Sequence, residues 1–214
     1  ACLSSHPWNL GGVGVTGNSA ANDIAQKADV ILGIGTRFSD FTSASKSLFG
    51  RDARIVTVNT SRFDAYKLGA VKVVADAKLA IHGLGAILGE KGYRSGYVHE
   101  VKAAKAGWEE EMEFLSSYSW GDDFKPLIKA GDPSTIPEFR LMTGSNLTQT
   151  AVVAKIRKLI PEDAICVGAA GSLPGDLQRM WTSDCRYSYN MEYGYSCMGY
   201  EIAGALGSKL AEPE

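Results

Sequence analysis

The sequence predicts an α/β protein in which parallel strands alternate with helices. Three short apolar runs carry this prediction, at residues 30–34, 55–58 and 71–74. Helical segments precede the first run and follow the last, a pattern typical of a parallel sheet covered by helices. Because each run is nearly continuous rather than alternating, we expect strands that are buried on both faces.

The composition is that of a globular chain without a nucleic-acid or membrane surface. Hydrophobic residues make up 45% of the 214 residues and charged residues 21%, which excludes a mainly disordered protein. The 22 Lys and Arg residues against 24 Asp and Glu residues give a formal net charge of −2. This balance offers no basic surface to nucleic acid or to an anionic membrane. No apolar run approaches the roughly 18 residues of a membrane span.

The cysteines and histidines predict neither a metal site nor a disulfide framework in this chain. Cys2, Cys166, Cys185 and Cys197 include no C-x-x-C pair, and the three histidines lack metal-binding spacing. Reduced thiols favour a cytoplasmic location.

Residues 1–95 are predicted to form a central domain that lacks its opening strand. A helix capped by Asn18 runs to about Ala28, and the three apolar runs follow as strands. Asp76 then caps a final helix. Folds of this type normally open with a strand, and nothing before Gly11 has strand character, so we expect the first strand to be missing.

A helix and a linker are predicted over residues 96–144. The apolar face of the helix consists of Val101, Trp108, Met112 and Leu115. The linker, after Trp120, is marked by Pro126, Pro133 and Pro137.

A second α/β pattern begins at residue 145 and continues to residue 214. Its elements are a helix ended by Pro161, a strand at 164–168, a helix at 173–181, a strand at 187–191 and a helix at 197–210. The chain is therefore predicted to form two incomplete parallel-sheet, Rossmann-like three-layer domains joined by a linker.

Three loops are candidate binding elements. Gly12–Gly17 matches the G-x-G-x-x-G pattern of dinucleotide sites, but no strand precedes it, so a turn that leads into a helix is favoured. Arg37 follows a strand and can bind a phosphate or carboxylate, or can pair with Asp40. The loop 168–175 joins a strand to a helix, and its small residues and free N–H groups suit a diphosphate.

The motifs near the C-terminus resemble those of thiamine-diphosphate-dependent enzymes of the acetolactate synthase superfamily. The run GYSCMGYEIAGALGSK at 194–209 is similar to the segment that precedes their magnesium-binding G-D-G motif, and ADVILGIGTRFSD at 28–40 is similar to their central domain. The segments HPWNLGGVGVTGNSAANDIA, GSLPGDLQRMW and EYGYSCMGYEIAGALGSKLAEP most resemble the branch that hydrolyses a ring carbon–carbon bond of a cyclic dione in inositol catabolism. The resemblance covers essentially the whole chain.

This resemblance implies an enzyme that uses thiamine diphosphate and Mg²⁺ to cleave a small cyclic dione, with 5-deoxyglucuronate as the product. It also implies that Gly171, Ser172 and Leu173 contact the diphosphate. The Ser196 carbonyl and Met198 would meet the aminopyrimidine, and Met198 would support the bent cofactor conformation. Leu173 stands where many relatives have a polar residue, so we expect a backbone contact there.

The resemblance further implies that essential parts lie outside this chain. The family's catalytic Glu belongs to an N-terminal domain, and its metal site would begin shortly after the position of Glu214. We therefore expect an internal fragment without catalytic or metal-ligating residues, inactive alone and weak in cofactor binding. At full length we expect a homo-oligomer, because the family's cofactor sites lie between subunits.

Two alternatives stay open. One is a fragment of a 2-keto-acid carboligase of the acetolactate synthase type, which a pocket shaped for a 2-keto acid would favour. The other is a non-catalytic nucleotide-binding module based on the Gly12–Gly17 loop.

Overall fold

The computed structural model describes residues 3–121 and 141–213. The chain divides into two compact units, His6–Trp108 and Ala1–Ser5 with Glu109–Glu214. Most of the predicted linker, including its three prolines, lies outside the described residues, as does Cys2. The predicted domain limits stay a prediction.

The unit His6–Trp108 contains a three-stranded parallel sheet with the strand order β1–β2–β3. The strands are β1 Val30–Ile34, β2 Arg54–Asn59 and β3 Val71–Val74. The helices that begin in this unit are α1 Ser19–Lys27, α2 Asp40–Ser43, α3 Arg62–Ala65, α4 Ala77–Glu90 and α5 Val98–Ser117. The prediction of an α/β class with parallel strands is confirmed.

Two side-chain caps set the starts of α1 and α4 where the sequence predicts them. The Asn18 side chain accepts the N–H of Ala21 at 2.8 Å, and the Asp76 carboxylate accepts the N–H of Leu79 at 3.1 Å. Each cap satisfies a helical N–H that has no acceptor within the helix, so short local patterns sufficed to place these elements.

The expectation that all three strands are buried on both faces is wrong for β1 and β3. Val58 of the central strand β2 is only 1% exposed, whereas Val30 of β1 is 49% and Val71 of β3 is 64% exposed. The physical reason is the strand order, because β1 and β3 are the two edges of a three-stranded sheet. An apolar run alone does not distinguish a central strand from an edge strand.

The unit that contains Glu109–Glu214 has a two-stranded parallel sheet, β4 Cys166–Gly168 paired with β5 Tyr189–Met191. Among its described residues are the helices α6 Gln149–Leu159, α7 Leu173–Met180 and α8 Tyr200–Ala211. Val153, Leu177 and Met180 form its buried cluster, against which Met112 and Leu115 of α5 pack.

Two elements of this unit begin later than predicted because the backbone before them is left-handed. Gly199 has φ +91°, so α8 begins at Tyr200 rather than at residue 197. Tyr187 has φ +64°, and β5 begins only at Tyr189. Residues 197–199 therefore belong to the loop before α8, which matters for the candidate site. None of the helices within the described ranges is both long and apolar enough to cross a membrane.

We predict that truncation of the central strand destabilises the sheet more than truncation of its edge. Val58→Ala removes methyl groups from a fully enclosed position and should lower the free energy of unfolding by about 2 kcal/mol. Val30→Ala, the matched control, should cost less than about 1 kcal/mol because half of its side chain is already in water. Urea unfolding followed by circular dichroism measures both, and equal losses would contradict the assignment of β1 as an edge.

Candidate functional site

The residues predicted to face a diphosphate lie in the loop between β4 and α7. Gly171 has φ +88°, and a Cβ added there would meet nothing within 4 Å. The N–H groups of Gly171, Ser172 and Leu173 have no acceptor within residues 3–121 and 141–213. By contrast, the N–H of Gly175 already donates to the Ser172 carbonyl at 3.0 Å. Three consecutive donors at a helix N-terminus thus stay available to an anion.

This loop starts from a close approach of the two strands. A Cβ on Gly168 would lie 2.8 Å from the methyl carbon of Met191, so the end of that side chain would have to shift to make room for it. The N–H of Glu192 donates to the Gly168 carbonyl at 2.9 Å, which extends the pairing by one residue. The loops that follow β4 and β5 therefore leave the same edge of the sheet as neighbours.

Glu192 organises the loop that contains Ser196 and Met198. Its carboxylate accepts the N–H of Cys197 at 3.0 Å and the N–H of Tyr195 at 3.2 Å. These two bonds enclose Ser196, whose φ of +55° is unusual for a residue other than glycine. They also hold the pKa of Glu192 below its ordinary value of 4.5, with the Cys197 N–H as the largest cause. Met198 follows with 88% of its surface exposed.

A second carboxylate, Glu201 in the first turn of α8, joins the two loops. One oxygen accepts the N–H of Ala170 at 3.3 Å, and the other accepts the N–H of Gly199 at 3.1 Å. The N–H of Glu201 itself and then that of Ala170 are the main causes that lower the pKa of this carboxyl below 4.5. Through Glu201 the structure brings the loop of Gly171 close to that of Met198.

Sequence reasoning missed Glu192 and Glu201. Both lie inside the motifs that were quoted for the resemblance, but neither has the spacing of an acid–base pair or a metal ligand. Their position is the signal that was present: Glu192 comes directly after a strand, and Glu201 lies in the first turn of a helix, where carboxylates accept backbone N–H groups.

N–H groups of the Gly12–Gly17 loop donate to acceptors within the protein. The N–H of Gly14 donates to the Asn22 side chain at 2.8 Å, and that of Val15 to the Phe41 carbonyl at 2.8 Å. A Cβ on Gly14 would overlap the Phe41 carbonyl oxygen. These glycines permit tight packing of a turn that leads into α1, which is the favoured interpretation of the motif.

Arg37 lies at the carboxyl edge of the first sheet, near an ion pair. Lys67 pairs with Asp64 at 2.8 Å and also donates to the Arg37 carbonyl at 2.9 Å. The hydrogen bond from Lys67, and to a smaller extent the charge of Arg37, lower the pKa of Asp64. The Arg37 side chain therefore acts on Asp64, and ligand binding by Arg37 stays a prediction.

Comparison with known proteins gives two kinds of match. Residues 1–84 match the family model of the thiamine pyrophosphate enzyme central domain. The chain is 57% identical over 211 residues to a 3D-(3,5/4)-trihydroxycyclohexane-1,2-dione hydrolase of Geobacillus thermodenitrificans, which covers 99% of this chain and 33% of that protein. A protein of the same name from Clostridium perfringens is 56% identical over 215 residues, covering 100% and 34%. One from Clostridium botulinum is 52% identical over 212 residues, covering 99% and 33%.

The chain thus spans about one third of the length of the curated relatives that it matches. The resemblance to thiamine-diphosphate enzymes predicted from the sequence is confirmed by these matches.

We predict that a side chain at Gly14 destabilises the fold. Gly14→Ala places a methyl group against the Phe41 carbonyl at a left-handed position and should cost about 2 kcal/mol or more. Gly83→Ala in α4, where a Cβ would meet nothing within 4 Å, is the control. It should leave stability unchanged or raise it by up to about 1 kcal/mol. Thermal unfolding compares the two, and a neutral Gly14→Ala would contradict the packing role.

We predict that the Ser196 loop loosens in acid. Because N–H bonds lower the pKa of Glu192, its contribution is fully present above 4.5 and is lost as the pH falls through the lower value of the folded state. The amide NMR shifts of Tyr195 and Cys197 should titrate together, with a midpoint below 4.5, and Glu192→Gln should abolish this titration. Glu110→Gln, an exposed change on α5, should leave it intact. A Cys197 amide that is insensitive to pH would refute the role of Glu192.

Proposed function

We propose that this chain is part of a 3D-(3,5/4)-trihydroxycyclohexane-1,2-dione hydrolase. It is homologous to proteins of that name over its whole length. Its residues 1–84 match the thiamine pyrophosphate enzyme central domain. The protein would cleave a ring carbon–carbon bond of trihydroxycyclohexane-1,2-dione and give 5-deoxyglucuronate in myo-inositol degradation. The observation that carries the proposal is the 57% identity over 99% of the chain. The matched region includes both candidate cofactor loops.

The β4–α7 loop fits the diphosphate of thiamine diphosphate. Its three open N–H donors, at Gly171, Ser172 and Leu173, are neutral dipoles at the positive end of α7, which favours an anion. The side chain of Leu173 has no polar atom, so its contribution would come from the backbone. The open space at Gly171 would let a phosphate approach the chain closely.

The loop after β5 fits the other end of the cofactor. Within residues 3–121 and 141–213 the carbonyl of Ser196 accepts no hydrogen bond, so it can accept one from an amino group. The exposed thioether of Met198 offers an apolar, polarisable surface to an aromatic ring. Glu192 holds this loop through two hydrogen bonds, so the residues that would touch the ring are oriented before it binds.

When bound, thiamine diphosphate would supply the electron sink for carbon–carbon cleavage. The described residues would contribute binding and orientation: N–H groups for the diphosphate, and a carbonyl and a thioether for the ring. We further propose that residues outside this chain would hold Mg²⁺, and that the catalytic Glu also lies outside it. The Rossmann-like three-layer domains, their limits, the homo-oligomer and the cytoplasmic location are parts of the same proposal.

The two alternatives have less support. The identity to named dione hydrolases favours hydrolysis over 2-keto-acid carboligation. The engaged N–H groups of Gly14 and Val15 weaken the case for a nucleotide-binding module on the Gly12–Gly17 loop.

We predict that cofactor binding requires more of the protein than this chain. Calorimetric titration with thiamine diphosphate and Mg²⁺ should show weak or no binding by residues 1–214 and clear binding by the full-length protein that contains them. The full-length protein should also consume trihydroxycyclohexane-1,2-dione only when both are present. Condensation of 2-keto acids without consumption of the dione would favour the carboligase instead, and absence of cofactor binding at full length would overturn the proposal.

A further inference from the structure

Glu201 makes contacts that a helix cap does not require. The Glu201 carboxylate accepts its own N–H and the N–H of Gly199, and these bonds are the ordinary capping of a helix by a residue in its first turn. The bond to the N–H of Ala170 is different, because Ala170 lies 31 residues earlier in the chain, in the loop after β4. One carboxylate therefore ties two separate segments together.

The hydrogen bond from Ala170 to Glu201 lies directly before the three open N–H donors in the chain. Ala170 directly precedes Gly171, whose left-handed φ of +88° turns the chain toward Ser172 and Leu173. Ala169 in this loop is buried, whereas Gly171, Ser172 and Leu173 are exposed, so packing does not hold the three donors. A charge-assisted bond at Ala170 therefore limits how the three open N–H groups can be arranged.

We propose that Glu201 is a positioning residue for the diphosphate group of the cofactor. It fixes the loop of Gly171 against the start of α8 so that the three donors are oriented before the anion arrives. This inference rests on the proposed function. The negative charge of the Glu201 carboxylate is offset by the N–H groups of Glu201, Ala170, Gly199 and Ala169, which lower its pKa. These N–H groups reduce its repulsion of a bound diphosphate.

The two carboxylates hold different loops of the candidate site. Glu201 acts on the loop that would bind phosphate oxygens, whereas Glu192 acts on the loop that would bind the aminopyrimidine. A ligand that has the diphosphate but lacks the ring should therefore depend on Glu201 and not on Glu192. General destabilisation of the protein would not produce such a split.

The test is calorimetric titration of the full-length protein that contains this chain, in Mg²⁺, with thiamine diphosphate and with inorganic diphosphate. We expect Glu201→Gln to weaken both ligands about ten-fold, the loss expected for one charge-assisted hydrogen bond. Glu192→Gln should weaken thiamine diphosphate but change the affinity for inorganic diphosphate less than two-fold. Glu110→Gln, the matched exposed control, should alter neither.

Hydrogen exchange supplies a readout that does not depend on the cofactor. In Glu201→Gln, peptides covering residues 168–173 should exchange faster, while peptides covering β2 should be unchanged. Unchanged affinities for both ligands in Glu201→Gln would overturn the positioning role and leave the proposed function standing, as would a loss confined to thiamine diphosphate. Failure of the unmodified protein to bind either ligand would overturn the proposed function and this inference with it.

Discussion

The candidate site depends on hydrogen bonds between two carboxylates and the backbone N–H groups of the loops that follow the strands. Parallel strands leave their following loops at one edge of the sheet, but the pairing does not fix the shape of those loops. Glu192 and Glu201 do so here, with four bonds of 3.0 to 3.3 Å to N–H groups of Tyr195, Cys197, Ala170 and Gly199. These bonds lower the pKa values of both carboxylates.

The two glycine-rich loops of the chain differ in whether their N–H groups are hydrogen-bonded, and the glycine pattern does not reveal this difference. The Gly12–Gly17 loop has the closer match to a nucleotide motif, yet its donors bind Asn22 and the Phe41 carbonyl. The loop at Gly171 has no such match, yet three of its donors are open within the described part of the chain. Glycine serves packing in the first loop, whereas Gly171 in the second faces open space.

Much of the fold could be predicted from the sequence because its determinants are local. Asn18 and Asp76 cap their helices through bonds to residues three positions away, and continuous apolar runs locate β1, β2 and β3. One error arose where the decisive partner is distant, because the exposure of Val30 and Val71 depends on strand order. The late start of α8 instead has a local cause, the left-handed backbone at Gly199.

The sequence alone was sufficient for the α/β class, most element positions and the resemblance to thiamine-diphosphate enzymes. The match of residues 1–84 to the thiamine pyrophosphate enzyme central domain supports that resemblance. Tertiary structure alone decided which donors are open and which carboxylates hold the loops. The sequence motifs contain Ser172 and Met198, but the bond between Glu201 and Ala170 joins residues 31 apart. Such a contact exists only after β4 and β5 pair and α8 packs beside them, and no local pattern of residues encodes it.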